Sequence, residues 1–505
     1  MRVEKRCMLS IITMVLLVFN MVADEFAPLR LKWDLPEQYA KMEGDLLIVD
    51  IPRDKHGASA MATAIVPNDR IEGLKRFSFS IEASAENIAK PSKSYLGIKS
   101  QLHWRDAKTG ADNWPNTRPR TGSFPRTVLK TYVDFMGATP GFAEIQLGLQ
   151  ETSGKIVFDL STLKLSRDYA FVTENPNRIV SYPERVKNDC RRRGVMLPGS
   201  APVEDDFITL KEWGVNLVRY QMIRNWNKNR DNRDIGEFNL WLDGKLDILE
   251  KTVIPLARKY GQKVVVDLHV PPGGRLEGGD MAMFHEKEYA EAFVACWKRI
   301  AARFRGNSDV IYGYDLINEP HQIEPGGCGY WEVQKLAALA VREIDPETTI
   351  IIESNGWDGP PTFSYLGVLD IDNVIYQVHM YLPIEYTHQK VSNPNMEARA
   401  YPDAKKGLDI GQLRNYLKPV REFEKRHKAK IYVGEFSAIC WAEGADRYIA
   451  DCITIFNEYG WDWTYHAFRE WPGWSVEHEG EPSREFRPSA DNPRKRALLE
   501  GFKQK

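Results

Sequence analysis

Short runs of alternating apolar and polar residues fill the first third of the chain, between residues 24 and 178. The clearest runs are 45–51, 77–81, 143–149 and 155–160. Clusters of Gly, Pro, Asn and Asp separate these runs, and no helical period is present between them. Side chains of a half-buried strand alternate between core and solvent, so the pattern predicts an all-β sandwich over residues 24–178.

The pattern changes after a proline-containing stretch at 175–183, which we interpret as a linker. From residue 186 to 505, apolar runs typical of buried strands alternate with stretches of helical period. The predicted strands are 194–197, 215–219, 263–268, 311–320, 349–353, 374–378, 431–436 and 461–465. The predicted helices are 205–213, 245–260, 286–304, 331–344 and 493–502. Eight such units predict an α/β fold, a parallel (β/α)8 TIM barrel.

A doubly wound parallel sheet is the alternative architecture for this part of the chain. Such a sheet needs a glycine-rich phosphate-binding loop after its first strand. The residues at that point are Leu197-Pro198-Gly199, which do not form such a loop. The barrel is therefore the favoured interpretation.

Two of the predicted strands end in a glutamate. The run 311–320 finishes in Asn318-Glu319-Pro320, and the run 431–436 contains Glu435 close to its end. Proline has no N–H for a strand ladder, so the first of these strands must stop there. A buried carboxyl favours its protonated form, which suits a general acid. A pair of such carboxylates is what most glycosidases use for catalysis.

Other predicted strands also end in polar residues. They are Arg219 after the second strand, His269 after the third, Asn318 after the fourth, and His379 and Tyr381 after the sixth. A lone residue of this kind is usually structural, but with the strand of Glu435 five strands share the pattern, which is hard to explain by packing. Barrel active sites lie at the carboxyl ends of the strands, so these side chains should meet there. A fixed cation such as Arg219 would hold Glu435 ionised.

This constellation resembles glycoside hydrolase family 5, a family of retaining β-glycanases on (β/α)8 barrels. The resemblance implies that Glu319 is the acid/base and Glu435 the nucleophile. It also implies substrate-binding or supporting roles for Arg219, His269, Asn318, His379 and Tyr381. The family usually has a Trp at the end of strand eight, where this chain has His466, so we expect Trp471 or Trp474 to supply the ring. Loops 269–283 and 382–409 should shape the cleft.

The resemblance implies a retaining β-glycosidase, endo- or exo-acting, whose partner is a polysaccharide or oligosaccharide of the β-glucan or mannan type. It implies no cofactor and no metal. One alternative is a catalytically inactive barrel that only binds carbohydrate. Another is a metal-dependent hydrolase, for which His269 and His379 would be candidate ligands.

The N-terminus predicts a secretory signal peptide over residues 1–23. Basic residues Arg2, Lys5 and Arg6 precede an apolar core at 8–22, and Ala23 is a small residue suited to cleavage. An uncleaved membrane anchor is the alternative. Cleavage would give a secreted or periplasmic protein with no membrane contact, and we expect a monomer. A formal net charge of −2 disfavours nucleic acid as a partner.

The sandwich has its own candidate chemistry. Its last strands resemble those of jelly-roll carbohydrate-binding modules. Tyr95, Trp104 and Trp114 lie in this part of the chain and could stack on sugar rings. Packing in the sandwich core is the competing explanation, because aromatic residues are usually buried. Carbohydrate binding by residues 24–178 is therefore one role open to this domain.

Overall fold

The computed structural model of the protein describes residues 29–504, apart from 73–75, 94, 118–119, 136–137, 168–174, 176, 225–231, 277–278, 323–327 and 365. The predicted signal peptide, residues 1–23, lies outside the described residues. The chain forms two compact units, the first ending at residue 171 and the second comprising 172–322 and 328–505. Within the described ranges, no helix has both the length and the apolar character needed to cross a bilayer. The cysteines described there are all free thiols.

The first unit consists of antiparallel strands. They are β1 Ala40–Glu43, β2 Leu46–Ile51, β3 Ala60–Ile65, β4 Arg76–Ile88, β5 Gly97–Asp106, β6 Asp112–Asn113, β7 Gly122–Asp134, β8 Pro140–Gln150 and β9 Gly154–Arg167. One sheet has the order β1-β2-β9-β4-β7 and the other β3-β8-β5-β6. The predicted all-β architecture is confirmed.

The core of this unit comes from alternate residues of its strands. On β8, Ala143, Ile145, Leu147 and Leu149 are all buried, and the residues between them face the other way. Trp104 belongs to the same core cluster, and its ring meets that of Phe135 edge-on at 4.9 Å. Trp104 is therefore a packing residue and not a sugar platform.

The second unit is built on a closed parallel barrel. Its strands in order are β10 Arg193–Met196, β11 Leu217–Gln221, β12 Lys263–Asp267, β13 Ile311–Asp315, β14 Ile350–Glu353, β15 Val374–Met380, β16 Ile431–Phe436 and β17 Asp462–Tyr465. A hairpin of β18 His478–Gly480 and β19 Phe486–Pro488 follows the last barrel strand. The predicted (β/α)8 barrel is confirmed.

Helices precede, connect and follow the barrel strands. They are α1 Glu184–Lys187, α2 Glu204–Trp213, α3 Ile235–Ile248, α4 Ile254–Tyr260, α5 Lys287–Phe304, α6 Tyr330–Ile344, α7 Ile384–Thr387, α8 Ile410–His427, α9 Ala445–Tyr459 and α10 Pro493–Lys503. The sequence pattern did not predict α8 or α9. Pro419 lies inside α8, and a proline within a helical run normally argues against a helix. The helix predicted at 245–260 starts earlier, at Ile235. It consists of α3 and α4, which are joined by a π-helical turn at Leu249–Val253.

The stretch interpreted as a linker packs against the barrel instead. Val180 donates its N–H to the carbonyl of His427, and the Tyr182 hydroxyl donates to the carbonyl of Val374 at 2.8 Å. Arg178 also pairs with Asp370 and Asp372. Prolines at 176 and 183 favour extended backbone in the residues before them. The sequence alone does not show whether such an extended segment is a free linker or packs against a domain. Residues 178–183 are therefore part of the second unit.

Candidate active site

A cleft of about 520 Å3 opens at the carboxyl ends of the barrel strands. The predicted site residues that line this cleft are His269, Asn318, Glu319, Tyr381, Glu435, His466 and Trp471. The other two, Arg219 and His379, lie behind them and are almost fully buried. The structure thus brings all nine residues together, but Arg219 and His379 contact the carboxylates and do not line the cleft.

Glu435, near the end of β16, is held by two donors. Arg219 Nη1 donates to Glu435 Oε1 at 2.5 Å, and the Tyr381 hydroxyl donates to Oε2 at 2.9 Å. Burial acts to raise the pKa of Glu435, but the electrostatic effect of the neighbouring His379, His466, Arg219 and His269 outweighs it. The pKa of Glu435 is therefore held well below its usual range, and the side chain is ionised.

Arg219 is surrounded by further buried carboxylates. Its Nη2 atom lies 2.9 Å from Asp315 Oδ2, 3.1 Å from Glu353 Oε1 and 3.3 Å from Asp267 Oδ2. One guanidinium cannot neutralise these three carboxylates and Glu435 together. Burial, together with the charge of Asp267, raises the pKa of Asp315 to about 6 even though Arg219 lowers it.

Glu319 lies beyond the end of β13 and has a left-handed backbone conformation, with φ of 49°. Two partners hold this strained backbone. The Glu319 N–H donates to Glu353 Oε2 at 2.6 Å, and Arg275 Nη2 donates to the Glu319 carbonyl at 2.9 Å. Glu353 ends β14, so the fifth strand fixes the residue that follows the fourth.

A closed loop of hydrogen bonds orients the Glu319 side chain. Gln377 Nε2 donates to Glu353 Oε1 and contacts His379 Nε2 at 3.1 Å. With Nε2 accepting, the imidazole proton of His379 is on Nδ1, which donates to Glu319 Oε1 at 3.1 Å. The hydrogen bond from the Glu319 N–H to Glu353 Oε2 closes this loop.

The two glutamates are close together. One carboxylate oxygen of Glu319, one of Glu435 and a ring nitrogen of His379 all lie within 4.8 Å of one another. Such a trio could also hold a metal ion. However, both oxygens of Glu435 already accept hydrogen bonds from protein donors, which leaves this carboxylate a poorer ligand.

Asn318 and His269 complete the floor of the cleft. Asn318 Oδ1 accepts from Arg219 Nη2 at 2.9 Å, so the amide nitrogen of Asn318 points away from Arg219. Asn318 Nδ2 is buried, and no hydrogen-bond partner for it exists among the residues that the structure describes. A buried donor without a partner is costly, so this atom is suited to a ligand acceptor. His269 Nδ1 contacts Asp267 Oδ2 at 2.8 Å.

His466 takes part in a chain of charged and hydroxyl groups that ends on Glu435. Its Nε2 lies 3.0 Å from Glu470 Oε2, and its Nδ1 lies 2.7 Å from the Tyr381 hydroxyl. Tyr381 gives its proton to Glu435, so both ring nitrogens of His466 act as donors and the ring is an imidazolium. Burial opposes this charge, but Glu470 and Glu435 outweigh it and raise the pKa of His466.

Two tryptophans follow His466 along the chain. Trp474 is buried, and its ring centroid is 5.7 Å from that of His466. Trp471 is half-buried in the cleft wall, with the Arg484 guanidinium 5.9 Å from its ring centroid. Trp471 is therefore the more accessible ring of the two.

Sequence reasoning missed several residues of this site. Glu353, Asp315 and Asp267 all lie at or near strand ends, so the rule that found Arg219 could have found them. Glu470 and His388 gave no such signal, because they lie in irregular segments. His388 lines the cleft, and burial lowers its pKa to about 4.

Comparison with known proteins places this chain in a family. The sequence model of the cellulase family (glycosyl hydrolase family 5) matches residues 193–470. That range includes every predicted site residue except Trp471, which follows it directly.

Individual relatives cover the same part of the chain. Cellodextrinase A of Ruminococcus flavefaciens is 26% identical over 277 residues, covering 53% of this chain and 79% of the relative. Endoglucanase C of Acetivibrio thermocellus is 27% identical over 295 residues, covering 52% of this chain and 83% of the relative. Among solved structures, Thermotoga maritima Cel5A in complex with mannotriose aligns with 62% of this chain and 97% of its own, at 23% identity and a TM-score of 0.47. Because the family match spans more than half of the chain, this protein belongs to glycosyl hydrolase family 5, whose members hydrolyse O-glycosyl bonds.

Proposed function

We propose that the protein is a retaining β-glycosidase that cleaves polysaccharides or oligosaccharides by double displacement. The observation that carries this proposal is the approach of the two carboxylates, whose nearest oxygens lie within 4.8 Å. Retaining glycosidases place their carboxyl groups about 5–5.5 Å apart, whereas inverting enzymes leave about 6.5–9.5 Å for a water molecule. The observed separation supports direct attack by a protein carboxylate.

Glu435 has the nucleophile's role in this mechanism. It is ionised, and Arg219 and Tyr381 fix both of its oxygens. It attacks the anomeric carbon while Glu319 protonates the departing glycosidic oxygen, so one C–O bond forms as the other breaks. Glu319 then takes a proton from water, which attacks the same carbon and releases Glu435.

Asn318 supports the sugar in both steps. Its buried Nδ2 faces no acceptor among the described residues. A hydroxyl next to the anomeric carbon would supply that acceptor. Hydrogen bonds to the sugar 2-hydroxyl strengthen at the oxocarbenium-like transition state, so this contact favours catalysis over simple binding.

The substrate and location proposed are those of an extracellular glycan hydrolase. Relatives named cellodextrinase and endoglucanase make a β-glucan the first substrate to test, with mannan second. The predicted signal peptide at 1–23 supports a secreted or periplasmic location. We expect the protein to act as a monomer.

Reducing-sugar release from a panel of β-glucans and mannans tests the proposal against a barrel that only binds carbohydrate. The wild-type protein should release sugar from at least one polysaccharide and keep its rate in the presence of a chelator. Binding without release would favour the inactive barrel. Loss of activity with chelator, restored by a divalent metal, would favour the metal-dependent alternative at Glu319, His379 and Glu435.

The nucleophile assignment has a separate test. Glu435→Ala should nearly abolish turnover without unfolding the barrel, because it removes the attacking group. Azide should restore turnover of an activated β-glycoside and give a glycosyl azide of inverted configuration, since a small anion can occupy the vacated space. A folded Glu435→Ala variant with near wild-type rates on a natural substrate would show that the assignment is wrong.

A further inference from the structure

The first unit has a groove of about 550 Å3 of its own. It lies on the outward face of the four-stranded sheet β3-β8-β5-β6, and the residues that line it all belong to this unit. Its lining includes Tyr95, Lys99, Gln101, Trp114 and Gln146. The groove is therefore separate from the barrel cleft.

The strand register explains how the groove is built. On β5, Ile98, Leu102 and Trp104 point into the core, so Lys99 and Gln101 point outward. Gln101 is opposite Gln146 of β8, and Lys99 is opposite Gly148. Gly148 pairs with Lys99 on one side and with Met61 of β3 on the other, and it places no side chain between them.

Polar groups form the floor of the groove although they are nearly buried. Lys99 is 5% exposed and Gln101 is 6% exposed. The Gln101 amide donates to Gln146 Oε1, and Lys99 Nζ donates to the carbonyl of Tyr95 at 2.7 Å. Polar side chains that form one face of a groove supply donors and acceptors for a polar ligand, as the few placed polar groups of a binding site do.

Two aromatic rings flank the polar floor, and both are exposed. Tyr95 is 62% exposed and Trp114 is 55% exposed, unlike Trp104, which lies in the core. The His103 ring stacks on Trp114 with a centroid distance of 5.1 Å and an interplanar angle of 9°. His103 in turn contacts Asp112 Oδ1 at 2.8 Å, so Trp114 is held in one orientation.

We infer that this groove binds a neutral glycan chain. Flat rings match the apolar faces of pyranose sugars, and the amides of Gln101 and Gln146 match their hydroxyls. The groove residues carry one positive charge and no carboxylate, but Glu144 lies next to the floor and hydrogen-bonds Gln146 at 2.8 Å, which disfavours an acidic sugar. The choice of a glycan, and not another polar chain, rests on the glycosidase function proposed for the barrel.

The test uses the full-length chain with Trp114→Ala, Tyr95→Ala and the double substitution. Binding to β-glucan and to mannan is measured by affinity electrophoresis in the cold, with the same gels run for an acidic polysaccharide. Each substitution should weaken binding to a neutral glycan by about tenfold or more, the usual effect of removing a central aromatic anchor. Trp114→Phe keeps a ring and should retain part of the affinity.

Val128→Ala is the matched control, because Val128 is an exposed apolar residue on β7 of the other sheet. It should bind every glycan as the wild type does. The kcat/KM for a short chromogenic oligosaccharide should be unchanged in all variants, since the barrel cleft alone holds that substrate.

The outcomes separate this inference from the proposed function. Wild-type affinity of the double variant for every neutral glycan would overturn the groove assignment even if the enzyme is active. An inactive barrel with Trp114-dependent glycan binding would overturn the proposed function and keep the groove. Trp114-dependent binding to the acidic polysaccharide alone would overturn the assignment of a neutral ligand.

Discussion

Individual side chains at the barrel mouth form a chain from Glu470 through His466 and Tyr381 to Glu435. The chain works only while His466 is protonated, because a neutral ring that donates to Glu470 would accept the Tyr381 proton. Tyr381 would then no longer donate to Glu435. The charge of Glu470 thus acts on the nucleophile through two intermediate groups.

The pH dependence of this chain follows from the direction of two pKa shifts. The pKa of His466 is raised above 6.5, so its contribution to stability is complete below that pH and is lost as pH rises through the raised value. The pKa of Glu470 is lowered below 4.5, although burial opposes this shift, because the positive charge of His466 outweighs burial. Its contribution is present above pH 4.5 and is lost on acidification through the lowered pKa. The ion pair is therefore strongest between these limits.

Glu470→Gln should lower the Tm more at about pH 5.5 than at about pH 9, as measured by calorimetry. Glu477→Gln is the control, because Glu477 pairs with Arg469 at 2.7 Å and an arginine keeps its charge over this range. The Tm deficit of the control should be similar at both pH values. A Glu470→Gln deficit that does not change with pH would contradict the charged state assigned to His466.

Among the strands, β16 shows how an element positions chemistry. The pairing of β15 with β16 shifts register, so that Val378 pairs with Val433 and His379 with Glu435. Gly434 is the extra residue of this bulge, and it brings Glu435 opposite His379. A Cβ atom on Gly434 would collide with the side-chain amide of Gln377. Gly434 therefore leaves the space in which Gln377 connects Glu353 to His379.

Gly434→Ala should displace Gln377 and break the hydrogen-bond loop that orients Glu319. We expect overpacking to cost about 1–3 kcal/mol of stability. We expect kcat to fall by at least about tenfold, as for a barrier raised by about 1.4 kcal/mol. Steady-state kinetics on a soluble substrate and thermal unfolding check both effects.

The control is Gly244→Ala on α3, where an added Cβ meets no atom within 4 Å. It should raise stability by about 1 kcal/mol, the helix propensity difference, and leave kcat unchanged. If Gly434→Ala also leaves kcat unchanged, the Gln377 loop does not position Glu319.

The sequence predicted most strands of the barrel because buried apolar runs and turn residues are local features. It predicted the ends of strands less well, since β13 stops at Asp315 and β15 continues to Met380. The bulge at Gly434 and the left-handed Glu319 depend on neighbouring strands, which a single run does not reveal. Glu353 ends its own run and could have been found by the strand-end rule, but its role could not, because it accepts the N–H of Glu319, which follows a different strand.

At the scale of the whole molecule, the first unit has a core of its own. The buried residues of its main cluster all lie between Leu29 and Leu165. Such a core should fold without the barrel. A product containing residues 24–178 should be soluble and unfold cooperatively, as followed by circular dichroism. An aggregated product that becomes soluble only with the barrel attached would contradict this independence.

The stereochemistry of hydrolysis tests the central claim most directly. In the proposed mechanism, the close approach of Glu319 and Glu435 leaves no room for an attacking water between them, so Glu435 should form a covalent intermediate and the configuration should be retained. Proton NMR of the first-formed sugar, recorded before mutarotation, reports this configuration. From a β-linked substrate the account predicts that the β-anomer appears first, and initial appearance of the α-anomer would contradict it.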